Sequence, residues 1–421
     1  MTHPVEAAVA QALSNYPNGR FAIGFSGGGD STALLYGLRK HAANIRVFIV
    51  DHALRTGSRD EALAARSRVQ KWGYETDILT WQSMPLKAGI QNKARHARYR
   101  LIGAKMRSEG LTHLLTGHTA DDQAETCLMR YERGTNWRGA AGMAASVYAP
   151  VWPELANITV LRPLLACSRE QLRDYNHMHN LIWSEDPSNE NREFTRIRAR
   201  DYLTERPDIA NLLCEAAEDL QVGLKQERSY LQAWVKDHVR FESLYGYVLL
   251  DTVPPREVLL HLLRAVSGQG GIIERTALKT LQSRMKKPDF KAATLGGAHI
   301  VKTEGLYLIA RDPVIAKGRK GQQVPLGPQS LIQGHQIWDG RFSIYYSGQA
   351  PLIIQPEWGY LDPQGKPSDM AKEAPVWVRP TVPIVTDRHG NTISIGLVSD
   401  GKAKKMTIEW LGAERLLQSL R

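Results

Sequence analysis

The stretch Ser26-Gly27-Gly28-Gly29-Asp30-Ser31 decides the fold of this chain. It follows an apolar, strand-like run, Phe21-Ala22-Ile23-Gly24-Phe25, and precedes a helical pattern over 31–40. Three successive glycines let a backbone approach a ligand closely and adopt conformations closed to other residues. A helix opening directly after them offers unpaired amides and the positive end of its dipole, and together these favour a phosphate group. Ser26 and Ser31 add hydroxyl donors. No Gly-Lys-Ser/Thr follows, and the glycines are contiguous rather than spaced as GxGxxG, so neither the Walker pattern nor the dinucleotide pattern fits.

Working outward, strand and helix signals alternate. A second β-branched run covers 46–50, and a helix over 58–73 carries Asp60 and Glu61 in its first turn, where negative charge suits the dipole. A third strand covers 75–81. A basic helix over 91–109 ends at Gly110, a fourth strand covers 112–117, and a helix over 119–130 follows it. Such alternation predicts an α/β fold, a doubly wound, Rossmann-like parallel sheet over residues 1–206. Ligands bind such sheets outside the carboxyl ends of the strands. The loops after Phe25, Val50 and Gly117 are therefore expected around one site.

From Pro207 the character changes. Residues 207–312 predict a small helical, α+β substrate-binding domain, with a long helix over 209–239, two more over 256–267 and 274–286, and a hairpin from Ala293 to Ile309. Residues 313–330, with Lys317, Arg319 and Lys320, read as a basic linker. Residues 331–421 predict a β-rich domain that ends in a helix over 408–420.

The chain has 421 residues, 43% of them hydrophobic, enough to build several cores. It carries 54 Lys+Arg against 43 Asp+Glu, a net charge of +11. That surplus points to an anionic partner, nucleic acid or membrane. Cys127, Cys167 and Cys214 form no CxxC pair, which argues against a disulfide scaffold or a cysteine metal site. No apolar run is long enough for a bilayer, and residues 1–20 show no secretory pattern, so a cytoplasmic protein without a membrane partner is expected.

The motif SGGGDS after a first strand resembles SGGxDS, the signature of the PP-loop ATP pyrophosphatases, which cleave ATP between the α and β phosphates and adenylate a substrate. Further segments narrow the resemblance. They are Asp51-His52-Ala53-Leu54-Arg55, Ala94-Arg95-His96-Ala97-Arg98-Tyr99, the run from Gly117 to Thr126, Arg133-Gly134 with Arg138-Gly139, Arg162-Pro163-Leu164-Leu165, Trp183 with Glu185-Asp186 and Ser188-Asn189, and the arginines 196, 198 and 200. In order, spacing and type the set resembles the tRNA(Ile)-lysidine synthetase family over about residues 20–200. The resemblance implies ATP and Mg²⁺ as cofactors, and a CAU-anticodon tRNA(Ile) and free L-lysine as partners. It implies adenylation of the wobble cytidine at its C2 oxygen, then displacement of AMP by the lysine side-chain amine. The product, lysidine, pairs with A and switches decoding from AUG to AUA. A homodimer is an open reading.

Site residues follow from residue type and from this resemblance. Ser26, Gly27, Gly28, Gly29, Asp30, Ser31, His52, Gly117 and His118 are expected at the nucleotide. Asp30 is expected to hold the metal or the lysine ammonium, with a plain helix N-cap as its alternative role. Asp121 and Asp122 open a helix on which Asp121 and Glu125 lie one turn apart, a carboxylate cluster suited to an amine. Arg133, just after that helix, joins Asp30, Asp121 and Asp122 as a catalytic candidate. Arg95, Arg98, Arg138, Arg196, Arg198 and Arg200 are candidates for tRNA or substrate, with Glu125 beside them. The last three arginines fit either tRNA backbone contacts or ion pairs with Glu185 and Asp186. Trp183 reads as a core residue more readily than as a base-stacking one.

The main rival is a PP-loop tRNA enzyme that thiolates an adenylated base. Such enzymes commonly need a CxxC pair, and this chain has none. A small-molecule amidotransferase would need a glutaminase-type cysteine near its start. A degenerate, non-enzymatic tRNA binder is at odds with an intact loop followed by an intact acidic helix.

Overall fold

A computed structural model describes residues 2–51, 57–81, 90–184, 195–314, 326–358, 373–395, 398–399 and 405–420. The chain forms two compact units, Met1–Glu227 and Arg228–Arg421.

The first unit is built on a six-stranded sheet. Its strands are β1 (Phe21–Gly24), β2 (Ile45–Asp51), β3 (Glu75–Thr80), β4 (His113–Leu115), β5 (Ser146–Tyr148) and β6 (Thr159–Leu161). Their spatial order is β3-β2-β1-β4-β6-β5. All neighbours are parallel except β5, which runs antiparallel to β6 at the edge. The expected doubly wound sheet is thus present, extended by an edge hairpin that had no clear sequence signal.

Period-2 alternation sorts side chains to the two faces. Ile23, Val47 and Ile49 enter a core with α1 (Pro4–Ser14), α2 (Gly29–Gly37), α3 (Ser58–Gln70) and α7 (Arg169–Met178). Ala22 and Phe48 point the other way, into a core with α4 (Ile90–Ser108). Leu34, Leu35 and Val47 are fully buried, each contributing about 1.5–3 kcal/mol, which fixes α2 firmly beneath the glycine loop. Three further helices are α5 (Ala120–Glu132), α6 (Trp137–Ala140) and α8 (Thr195–Thr204).

Helix α2 begins at Gly29, inside the glycine motif, rather than at Ser31, and stops at Gly37, where a 3-10 turn continues the chain. Gly29 is therefore the first helical residue and Gly28 its N-cap, while Gly27 belongs to the loop in front of the helix. The long helix α9 (Pro207–His238) starts two residues before the expected 209. The sequence boundary at 206/207 nevertheless falls inside the first unit. The first turns of α9 bind it: Cys214 donates to the Ala120 carbonyl at 3.4 Å and Gln221 to the Ala141 carbonyl at 2.6 Å.

The second unit contains three antiparallel sheets among the described residues. One has the order β7 (Val239–Glu242), β8 (Tyr247–Leu250), β11 (Leu306–Arg311), β10 (Ala298–Thr303), β9 (Ala292–Leu295). It is packed by α10 (Arg256–Ser267) and α11 (Arg275–Met285). The others are β12 (Gln329–Leu331), β15 (Leu352–Pro356), β16 (Pro383–Thr386), β17 (Thr392–Ile395), β18 (Val398–Ser399), and β13 (Gly334–Trp338), β14 (Phe342–Tyr346), β19 (Met406–Trp410).

One hydrophobic cluster runs from Leu231 and Val258 through Ile300 and Trp338 to Leu416 and Leu420. The stretches read as two domains, 207–312 and 331–421, therefore share a core. The linker lysines and arginine, Lys317, Arg319 and Lys320, lie outside the described residues. The terminal helix α12 is Gly412–Ser419, shorter than expected. Residues 406–410 pair with β14 instead, placing Trp410 opposite Phe342.

Candidate functional site

The strand order puts the exits of β1 and β4 side by side, and the chain winds away from them in opposite directions. This is the switch point at which such sheets bind ligands. Two helix N-termini, those of α2 and α5, meet there.

Gly27 has φ +81°, a left-handed conformation that a side chain resists. The N-cap of α2 is Gly28, which makes no side-chain capping bond. Asp30 therefore lies within the first turn and is not the N-cap. Ser31 donates to the Gly28 carbonyl at 3.0 Å and sits 3.1 Å from the Ser26 hydroxyl. The two serines thus brace the loop internally, and the donors aimed outward are the first-turn amides.

Gly117 is small for a different reason. A Cβ there would lie 3.1 Å from both the carbonyl carbon and oxygen of Asp30, so a larger residue would push the β4 exit and the start of α2 apart by a few tenths of an ångström. Arg68 from α3 stands beside Gly27 and donates to the Ile182 carbonyl at 3.0 Å. Ser184 N donates to the Gly27 carbonyl at 2.9 Å. Between them Trp183 lies against Gly29, 3.5 Å from where its Cβ would be. Trp183 is half-buried and walls the loop.

Helix α5 opens with a capping box. Asp122 N donates to the Thr119 hydroxyl at 3.3 Å, and Thr119 N donates to the Asp122 carboxylate at 2.9 Å. Asp122 points inward, with 11% of its side chain exposed, whereas Asp121 is 40% exposed and Glu125 only 1%. Asp121 and Glu125 are one turn apart as expected, but the inward pair is Asp122 with Glu125. Arg196 donates to Asp122 at 2.8 Å and to Glu125 at 2.6 Å, and Arg200 donates to Glu125 at 2.7 Å. Arg196 and Arg200 share one face of α8 at i, i+4 spacing, and Arg198 lies on another. Their partners are these α5 carboxylates. Glu185, Asp186 and His52 lie outside the described residues.

A residue absent from the sequence reading sits at the centre of the cluster. Arg169 opens α7, capped by Ser168 and Gln171. Its guanidinium lies 3.2 Å from Asp122, 3.6 Å from Asp30, 3.7 Å from Glu125 and 4.0 Å from Asp121. One signal was available: a cation in the first turn of a helix opposes the dipole, so it needs carboxylates from elsewhere.

Burial works against ionisation of Asp122, but Arg196 and Arg169 outweigh it and hold the carboxyl below its usual range. Burial pushes Asp30 upward, with Arg169 opposing. His118 is pushed down to about 4, first by burial and then by Arg162. Its imidazole is therefore neutral near pH 7, and its Nδ1 lies 2.9 Å from the Thr116 hydroxyl. It can offer or accept a hydrogen bond but brings no charge to a phosphate.

The other arginine candidates come from α4, α6 and the C-terminal end of α5. Arg133 is the C-cap of α5 and is exposed. A 13-residue helix is about 20 Å long, so Arg133 stands at the opposite end from Asp122. Arg138 pairs with Glu227, its Nε 2.8 Å from the carboxylate. Arg95 and Arg98 are exposed on α4, with Arg95 stacked on Tyr99 at 5.0 Å. The cysteines form no disulfide, and burial pushes the Cys127 thiol up to about 11. Among the described residues no group of three or more His, Cys, Asp or Glu could hold a metal ion by itself. No described helix is long and apolar enough to cross a membrane.

Residues 1–206 match the model of the ATP-binding PP-loop domain. A tRNA(Ile)-lysidine synthase of Brucella anthropi is 36% identical over 343 residues, 77% of this chain and 73% of that protein. One from Caulobacter vibrioides is 29% identical over 415 residues, 95% and 93% of the two chains, so the similarity reaches through the second unit. One from Hyphomonas neptunium is 34% identical over 311 residues, 70% of this chain and 84% of that protein. With a glycine loop facing a set of carboxylates, and with this much similarity to those enzymes over most of their length, the chain belongs to the tRNA(Ile)-lysidine synthase family.

Proposed function

We propose that this enzyme attaches free L-lysine to C2 of the wobble cytidine in a CAU-anticodon tRNA(Ile), using ATP, in the cytoplasm. The observation that carries the reading is the meeting of two unlike cradles at one switch point. The amides and dipole of α2 suit pyrophosphate, and Asp122 and Glu125 suit an ammonium. Four carboxylates (Asp30, Asp121, Asp122, Glu125) face three guanidiniums (Arg169, Arg196, Arg200), which leaves one negative charge for an incoming cation.

In the first step the cytosine C2 oxygen attacks the α-phosphorus of ATP and pyrophosphate leaves. The loop amides of 27–29 stabilise the charge that develops there. Mg²⁺ fits a site of one carboxylate plus phosphate oxygens, and Asp30, 32% exposed beside the loop amides, would hold it. When bound, the ion neutralises phosphate charge. In the second step the lysine amine attacks C2 and AMP leaves. Asp122 and Glu125 orient the amine and take up its proton; Arg196 and Arg169 hold the Asp122 carboxyl below its usual range, and Arg200 pairs with Glu125 at 2.7 Å. Exposed Arg95 and Arg98, with Arg198, are offered to the tRNA backbone, and the charge of +11 predicts binding that weakens steeply with salt.

Incubation with CAU-anticodon tRNA(Ile), ATP and lysine should yield lysidine on nucleoside analysis, with pyrophosphate release dependent on the tRNA. Unmodified cytidine would sink the reading. Asp30→Ala should lower turnover at least about 100-fold while tRNA affinity holds. Unchanged turnover would remove Asp30 from the chemistry.

A further inference from the structure

We propose that Arg169 is a positioning residue that ties the nucleotide half of the site to its amine half. The proposal rests on the reading of the site just given. Among the described residues, Arg169 is the side chain that ion-pairs with carboxylates of both α2 and α5. Its Nε faces Asp30 at 3.6 Å, Nη2 faces Asp122 at 3.2 Å, and Nη1 faces Glu125 at 3.7 Å and Asp121 at 4.0 Å. Its backbone amide donates to Asp121 at 2.7 Å. The side chain is 18% exposed.

Helix α7, which carries it, is itself anchored to the glycine loop. Asn176 lies two turns from Arg169, hence on the same face, and is fully buried. Its Nδ2 donates to the Gly29 carbonyl at 3.0 Å. Leu172 and Tyr175 are also fully buried, in the core that holds α2. A single rigid helix thus touches the backbone of the nucleotide loop at one point and the carboxylates of both halves at another.

The remaining charged groups make the role specific. Arg196 and Arg200 from α8 reach Asp122 and Glu125 but form no ion pair with Asp30 or Asp121 among the described residues. His118 is close by but neutral. Without Arg169 the amine-side carboxylates therefore keep two guanidiniums, and what is lost is the link between the two halves. Adenylation needs the nucleotide half alone. Lysine transfer needs the amine held at a set distance from the adenylated C2, and a displacement of about 1 Å can cost about 100-fold.

The test separates the two steps in the full-length enzyme with CAU-anticodon tRNA(Ile). Pyrophosphate release in a single turnover without lysine reads adenylation, and lysidine formation against lysine concentration reads transfer. Arg169→Met should slow transfer about 100-fold and raise the lysine KM, with adenylation slowed less than about tenfold. Arg169→Lys keeps the charge without the fork and should recover at least about tenfold of the transfer rate. If Arg169→Met does not fold, Arg169→Lys carries the test, with transfer impaired more than adenylation. Equal loss of both steps would show a structural role only, and unchanged transfer would remove the role altogether. If the wild-type enzyme makes no lysidine, the reading of the site fails. If it does and the two steps respond alike, only the role of Arg169 fails.

Discussion

Each unit of this chain holds a cluster of arginines and carboxylates, and the two are built in opposite proportions. In the first unit carboxylates outnumber guanidiniums and the cluster is open on one side: Asp30 is 32%, Asp121 40% and Arg196 44% exposed, although Asp122 and Glu125 are buried. In the second unit one carboxylate, Asp339, serves two arginines. Arg311 Nη2 donates to it at 2.9 Å and Arg341 Nε at 2.6 Å, with exposures of 6% for Arg311 and Asp339 and 0% for Arg341. Arg341 Nη2 also donates to the Thr381 carbonyl at 2.6 Å. Burial pushes the Arg341 guanidinium down to about 10, although Asp339 opposes this. The first cluster has spare negative charge and an open side, as a site for a cation requires. The second is closed, with spare positive charge and no access, and it fastens the end of β11 to the β13–β14 turn. Ion pairs of similar length thus frame a partly open cluster in one place and a closed one in the other, and exposure and charge balance separate them.

The strongest way to break this contrast is Asp339→Asn. It leaves two buried guanidiniums without a counter-charge and should destabilise the second unit by about 3–5 kcal/mol. Denaturant unfolding followed for each unit would read it, and a loss confined to the first unit would overturn the contrast. A smaller effect concerns acid. His118 in the first unit is pushed to about 4, and His261 in the second to about 3, by burial and then by neighbouring arginines. Between these values and 6.5 the unfolded chain binds the protons and the folded chain does not. Stability should therefore fall as pH drops from about 6.5 toward 4. His118→Gln should flatten that slope in the first unit alone, and a slope unaffected by the substitution would contradict the neutral imidazole. The smallest effect belongs to Arg133→Ala. Because Arg133 stands at the far end of α5, lysidine formation should change less than about threefold. A 100-fold loss would return Arg133 to the site.

Much of this was legible in the sequence. The glycine run, the following helix and the acidic start of α5 are local signals, each contained within a dozen residues. The parallel sheet followed from alternating periods. The roles of the arginines were less legible. Arg196, Arg198 and Arg200 read as an alternating row, but on a helix the first and third share a face, and they meet Asp122 and Glu125. Arg133 is adjacent in sequence to the acidic helix yet lies about 20 Å from its start. Arg169 carried only a weak signal, its mismatch with its own helix dipole. The shared core of the second unit was hidden because Trp338 and Leu416 find Val258 and Ile300 across long separations.

By itself the sequence determined the glycine loop, the sheet that carries it and the acidic helix, because backbone conformation and hydrophobic period are set by near neighbours; the reaction class came from the resemblance of its motifs to a known family. Only the tertiary structure decided which charges meet. The exits of β1 and β4 lie side by side, Gly117 lets them close to contact, and α7 and α8 then bring their arginines to carboxylates far away along the chain. Electrostatic partnership depends on distance in space, and it was the strand order that set those distances.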